Sequence, residues 1–228
     1  MEISKDDKIA LVFNSSHVLA DVLVLQLLQH AGYKQVHLFG DQKPSITHPK
    51  LSYFDFEPAE LENQIEGNDL FCLYELAQAQ KHLSDIKIKD LYSFQIAKVA
   101  AMKNVSQLCF LSSNNSSKTS MNFNSRIRAH LEESLNALPF WAVHIFRPSS
   151  IVDTSGQSRW GEKIADRLGR GLDRVTGGMV SKFRPTEASL VARTMIKAAQ
   201  QLKEGRFLYH ASYFVDLEEQ EKGLRKAP

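Results

Sequence analysis

This chain is short of cysteine, of unbalanced charge and of long apolar runs, and each shortage closes off a class of function. Its two cysteines, Cys72 and Cys109, stand without CxxC spacing among 228 residues. They make neither a metal site nor the disulfide framework of a secreted domain. Both fall inside apolar runs that read as strands, which predicts buried free thiols and a reducing, cytoplasmic setting. No segment has the roughly twenty consecutive apolar residues needed to span a bilayer, so no membrane association is expected. The opening Met1-Glu-Ile-Ser-Lys-Asp-Asp-Lys8 lacks the apolar core of a signal peptide. A formal net charge of +2, from 28 basic and 26 acidic residues, provides no global attraction for nucleic acid. Internal repeats and low-complexity segments are also missing. The partners this leaves are a small molecule or another protein, with the chain a monomer or a homodimer.

What is present is an ordinary core-forming composition, 43% hydrophobic and 24% charged, laid out in alternating periods. Short apolar runs at 8–13, 35–39, 51–54, 69–74, 107–111 and 141–146 read as strands. Helical periodicity fills 18–31, 58–65, 86–102 and 124–137 between them. Strands alternating with helices of this length are βαβ units. They predict an α/β fold, a doubly wound parallel sheet in a Rossmann-type three-layer sandwich. Residues 1–228 read as a single domain with its core at 8–150. The substrate-side elements at 151–228 form a small C-terminal lobe: helices at 159–168 and 187–203, a strand at 207–209 and a charged tail from Asp216 to Lys226. In such a sheet the ligand crevice lies at the C-terminal ends of the strands, so residues just after each strand are the candidates for function.

The first of those turns lacks the glycines that a pyrophosphate site needs. Ile9-Ala-Leu-Val-Phe-Asn-Ser-Ser-His-Val-Leu-Ala20 is a buried strand entering a helix. Where backbone should lie bare against phosphate at the helix N-terminus, it carries Asn14, Ser15, Ser16 and His17. Asn tolerates positive φ, and Ala20 suits close packing of helix on strand. The His17 ring, however, stands where phosphate oxygens need clearance. The expectation is that it fills that space.

The order of these elements resembles the atypical short-chain dehydrogenase/reductases, in their small single-domain branch. The resemblance rests on Ile9-Ala-Leu-Val12, Val36-His-Leu-Phe-Gly40, Asp55-Phe56, Leu108-Cys-Phe-Leu-Ser-Ser113 and Phe146-Arg-Pro-Ser149. It covers roughly residues 8–200 and implies binding of NAD or NADP, with Arg147 and Pro148 beside the cofactor. It also implies a Tyr-x-x-x-Lys pair on the helix after the fifth strand, tyrosine moving the proton and lysine lowering its pKa. In the matching register this chain has Asn124 and Arg128. Asn124 cannot shuttle a proton, and Arg128 keeps the charge but cannot release one. Ser112 and Ser113 match the family's carbonyl-binding serine. Asp41 and Gln42 replace the arginines that relatives use for the 2′-phosphate of NADP, and an acid there favours NAD. Tyr74-Glu75 takes the place of a glycine after the fourth strand. Four departures in four segments imply a catalytically degenerate member, a nucleotide- or partner-binding regulatory protein. The alternative is an NAD(P)-dependent oxidoreductase or epimerase-like enzyme with altered site residues.

Other chemistry-bearing residues have plainer readings. His130 reads as a surface histidine and Tyr92 as core packing. Glu132 and Glu133, adjacent on a helix, point in different directions and read as a solvated face. Arg159, Lys163, Arg167, Arg170 and Arg174 form the most basic stretch. It reads as the exposed face of an amphipathic helix, or as a surface for an acidic partner.

Overall fold

A computed structural model describes residues 4–14, 18–73, 88, 91–152 and 185–225, with side chains of the last helix described as far as residue 220. The chain runs β1 (Lys8–Phe13), α1 (Val18–Gln29), β2 (Tyr33–Gly40), β3 (Leu51–Asp55) and a 3-10 turn at Pro58–Glu60. It continues through α2 (Leu61–Gln64), β4 (Asp69–Cys72), α3 (Tyr92–Met102), β5 (Gln107–Leu111), α4 (Phe123–Asn136) and β6 (Ala142–Phe146). Last come β7 (Ile151–Val152), β8 (Thr186–Glu187), α5 (Ala188–Gln200), β9 (Gly205–Tyr209) and α6 (Ala211–Arg225).

Seven strands form one sheet in the order β3-β2-β1-β4-β5-β6-β9, and every neighbouring pair is parallel. This is the doubly wound α/β sandwich expected from the alternating periods. The central strands β4, β5 and β6 are buried at every residue. Their near-continuous apolar runs follow from helices covering both faces.

One apolar layer holds Ala10, Val12, Phe71 and Cys109 of the sheet under α1 and α5. The opposite layer holds Leu11, Phe13, Leu70 and Phe110 under α3 and α4. In α1, Leu19, Leu23 and Leu27 recur every fourth residue and are fully buried. Truncating one such leucine to alanine costs about 2–5 kcal/mol. Small residues on α5, among them Ala188, Ala192 and Ala199, are buried in the same layer. Both cysteines are free and buried, and burial pushes the Cys109 thiol well up from its usual range, which makes it inert.

Differences from the sequence reading fall at element ends and in the tail. β2 begins two residues earlier, at Tyr33, and β4 stops at Cys72. The described part of α3 starts at Tyr92, where the apolar period suggested 86. The charged tail from Asp216 is instead part of α6, seated by Phe214 and Leu217 against the α1–α5 layer. Asp216 and Glu219 of this helix are exposed. Of the C-terminal elements, α5 and β9 complete the main sandwich, while β7 and β8 make a separate two-stranded pair. The basic stretch 159–174 lies outside the described residues.

At the N-terminal ends of the strands sits a buried ionic cluster. Lys8 of β1 pairs with Asp69 of β4. The Tyr33 hydroxyl donates to Asp69 Oδ2 (2.6 Å) and Gln107 Nε2 donates to Asp69 Oδ1 (2.9 Å). Lys8 Nζ and Gln107 Nε2 also reach the Ala199 carbonyl at the end of α5. Burial pushes the Asp69 carboxyl up, opposed by Lys8 and these donors.

Candidate functional site

The parallel order reverses direction between β1 and β4, so the crevice opens above their C-terminal ends. The structure follows the chain to both lips. Asn14 N–H donates to the Phe39 carbonyl (3.0 Å) and Leu73 N–H to the Phe13 carbonyl (2.8 Å). Ser15, Ser16 and His17, and Tyr74-Glu75 on the other lip, lie outside the described residues. Beside Asn14, the ends of β1 and β2 come together closely: a Cβ on Gly40 would stand 3.3 Å from the Asn14 carbonyl oxygen. Below them Phe13 and Phe39 stack at 4.2 Å and Phe39 and Phe54 at 4.9 Å, an apolar floor for this side of the crevice. Asp41 is exposed just past β2. Nearby, the Tyr53 hydroxyl donates to the Gly40 carbonyl and lies 3.0 Å from Asp55. Burial and Asp55 push its phenol up to about 12. Tyr92 stands a third exposed at the start of α3, edge-on to Phe56, rather than in the core.

The other half of the crevice, at the ends of β5 and β6, holds a cavity of about 270 Å³. Ser112, Ser113, Asn114 and Asn115 after β5 line it, with Arg128 of α4 and Pro148, Ser149 and Ser150 after β6. Four of the residues singled out from the sequence thus meet here: Ser112, Ser113, Arg128 and Pro148. Asn124 does not join them; it is exposed one turn earlier on α4. Asn122 caps this helix by accepting from Ser125 N–H at 3.3 Å, satisfying one of its orphan donors. Arg128 lines the cavity with no ion pair or hydrogen bond among the described residues.

Arg147, expected beside a cofactor, is held by a carboxylate of the protein. Its guanidinium forms a bidentate pair with Glu132 of α4, and Glu132 also accepts from the Ser112 hydroxyl. Glu132 is buried at 4% exposure, which corrects its reading as part of a solvated face. Adjacent residues on a helix do diverge, and that sends Glu133 outward to Lys118 (2.8 Å) while Glu132 turns in. The signal was available in the spacing: Ser125, Ala129 and Glu132 fall on one buried stripe, and Arg128 and Glu132 are one turn apart. His130 is half exposed beside Glu133, as expected of a surface residue.

The neighbouring serines of this site have opposite polarities. Because the Glu132 carboxylate can only accept, Ser112 must donate to it, and its oxygen is left as an acceptor. Ser113 Oγ instead accepts from Asn115 N–H (3.4 Å), so its own hydroxyl hydrogen is left to donate.

Sheet order, three layers and a crevice at the strand ends define this molecule as a Rossmann-type α/β protein. Comparison with solved structures agrees at the level of fold. The chain matches the Bordetella bronchiseptica enzyme WbmG in complex with NAD at 12% identity and a TM-score of 0.64, over 98% of this chain and 81% of that one. It matches MoeE5 in complex with UDP-glucuronic acid and NAD at 15% identity and a TM-score of 0.65, over 89% and 75%. A UDP-N-acetylglucosamine 4-epimerase from Bacillus cereus matches at 12% identity and a TM-score of 0.62, over 88% and 77%. No family model matches the sequence, and no curated protein does.

Proposed function

We propose that this chain is a nucleotide-binding protein on a dehydrogenase scaffold that has lost hydride-transfer chemistry, with NAD preferred over NADP. One observation carries the reading. Among the described residues, the cavity at β5 and β6 is lined by serines, asparagines, an arginine, a proline and aliphatic side chains, none of which exchanges a proton near neutral pH. A nicotinamide ring brought there supplies or accepts hydride, but a carbonyl reduction also needs a proton donor beside the reacting oxygen. Asn124 cannot serve, and Arg128 holds its protons. The residues that are present fit binding instead. Arg128, without an ion pair or hydrogen bond among the described residues, offers a fork of N–H donors to ribose or phosphate oxygens. Asp41, exposed at the end of β2, suits free ribose hydroxyls and repels a 2′-phosphate.

Titration of the protein with NAD(H) and NADP(H), followed by turnover assays on a carbonyl panel, tests this. Saturable NAD binding, weakened by Asp41→Ala and without turnover, is expected. Cofactor-dependent turnover abolished by Arg128→Ala overturns it. That result would support an NAD-dependent oxidoreductase or epimerase-like enzyme, a reading favoured by the NAD held in two of the similar structures. There, Ser113 and Arg128 would polarise the carbonyl and water would carry the proton.

A further inference from the structure

The pair Glu132–Arg147 lies behind the cavity, yet it decides what the cavity can bind. A serine hydroxyl ordinarily rotates to donate or accept as a ligand requires. Ser112 has lost that choice, because a carboxylate already neutralised by a bidentate guanidinium accepts its hydrogen bond. Burial of Ser112 and Glu132, at 7% and 4% exposure, keeps water from competing for that bond. A carbonyl oxygen facing Ser112 would meet lone pairs, so this serine repels the group that a reductase serine must polarise. What it accommodates is a ligand O–H or N–H. Around it, Arg128 offers only hydrogens, and the Ser113 hydroxyl has its hydrogen free to donate.

We infer that the cavity takes an oxyanion bearing a neighbouring hydroxyl or N–H group, with Arg128 and Ser113 donating to the oxyanion and Ser112 accepting from the neighbouring donor. The inference rests on the proposal that this crevice is a ligand site, and it specifies the ligand's chemistry. A phosphate beside a hydroxyl fits, whether within the ribose-phosphate of a dinucleotide or as a free sugar phosphate. Glu132 and Arg147 are positioning residues: they touch no ligand and act through the Ser112 hydroxyl.

Calorimetric titration with glycerol 3-phosphate and n-propyl phosphate tests this, because the two differ chiefly in the hydroxyls. The intact protein is expected to prefer glycerol 3-phosphate by about three- to ten-fold, the range of one net hydrogen bond. Ser112→Ala should abolish that preference while leaving n-propyl phosphate affinity unchanged, and Ser112→Thr should restore it. A merely structural role for Ser112 predicts no such selective loss. Arg128→Ala should weaken both ligands at least about ten-fold, as loss of a charge-assisted contact does. Equal affinities in the intact protein, or a preference that survives Ser112→Ala, overturn the inference.

Parallel titration with NAD separates this from the proposed function. NAD binding without affinity for either phosphate sinks the inference and leaves the function standing. Hydroxyl discrimination without NAD binding does the reverse. If both bind, competition assigns the phosphate to the dinucleotide. Independent binding assigns it to a separate sugar phosphate, and either result upholds the ligand class.

Discussion

Each end of the sheet buries a carboxylate against a cation, and the contrast between the two pairs separates architecture from function. At the N-terminal ends, Lys8 and Asp69 are exposed by 2% and 0% and close on each other. Tyr33 and Gln107 occupy Asp69's remaining positions, and the Ala199 carbonyl ties the cluster to α5. It joins β1, β2, β4, β5 and α5, and all its cations are spent. At the C-terminal ends, Arg147 and Glu132 close on each other in a similar way, but a second arginine, one turn from Glu132, has no partner among the described residues and lines a cavity. An ion pair that satisfies itself holds the fold together. A cation left over at a strand end is available to a ligand.

The first way to break this comparison is at the closed end. Asp69→Ala leaves Lys8 buried without its counter-charge, and a loss of about 3–5 kcal/mol is expected from chemical denaturation. The double replacement of Lys8 by Met and Asp69 by Leu should recover most of it, since burying two charges has its own desolvation cost. If Asp69→Ala proves neutral, the cluster is not the structural clamp it is taken for here.

Acid provides the next test in size. His144 of β6 is 1% exposed, stacked on Phe207 at 4.9 Å, with Nδ1 3.2 Å from the Tyr209 hydroxyl. Burial, and secondarily the charge of Lys8, lower its pKa to about 4. The unfolded chain binds this proton near pH 6.5 and the folded one near pH 4, so the folded state loses stability as pH falls between those values. Two and a half units correspond to about 3 kcal/mol. His144→Phe should flatten the stability-against-pH curve in that window. A smaller effect is expected at the helix that carries the site: Asn122→Ala removes the cap of α4 and should cost about 1 kcal/mol in the same denaturation measurement.

The sheet could be read from sequence because its strands are buried on both faces, so β1 and β5 announce themselves as unbroken apolar runs. The tail could not, because the alternation of acids and lysines after Asp216 outweighs the few apolar anchors of α6, Phe214 and Leu217. Within the site, residues placed by the strand ends, Ser112, Ser113 and Pro148, were legible because a doubly wound sheet fixes where its strands finish. Arg128 was legible by its place one turn into α4. Glu132 was not, because judging it against its neighbour Glu133 hid its place one turn beyond Arg128. Arg147 was expected at a ligand for its charge and position, and only the three-dimensional partner of that charge shows that it is already committed.

The finest test of the contrast is Arg128 itself. It has no ion pair or hydrogen bond among the described residues, so the folded state should hardly notice its removal. Arg128→Ala is expected to change stability by no more than about 0.5 kcal/mol, as surface replacements do. The same substitution should weaken nucleotide or phosphate binding at least about ten-fold by calorimetry. Arg128→Lys should retain part of that binding, because the charge survives and the planar two-pronged geometry does not. The opposite pattern, a destabilised protein that binds as before, would make Arg128 another structural cation and erase the distinction between the two ends of the sheet.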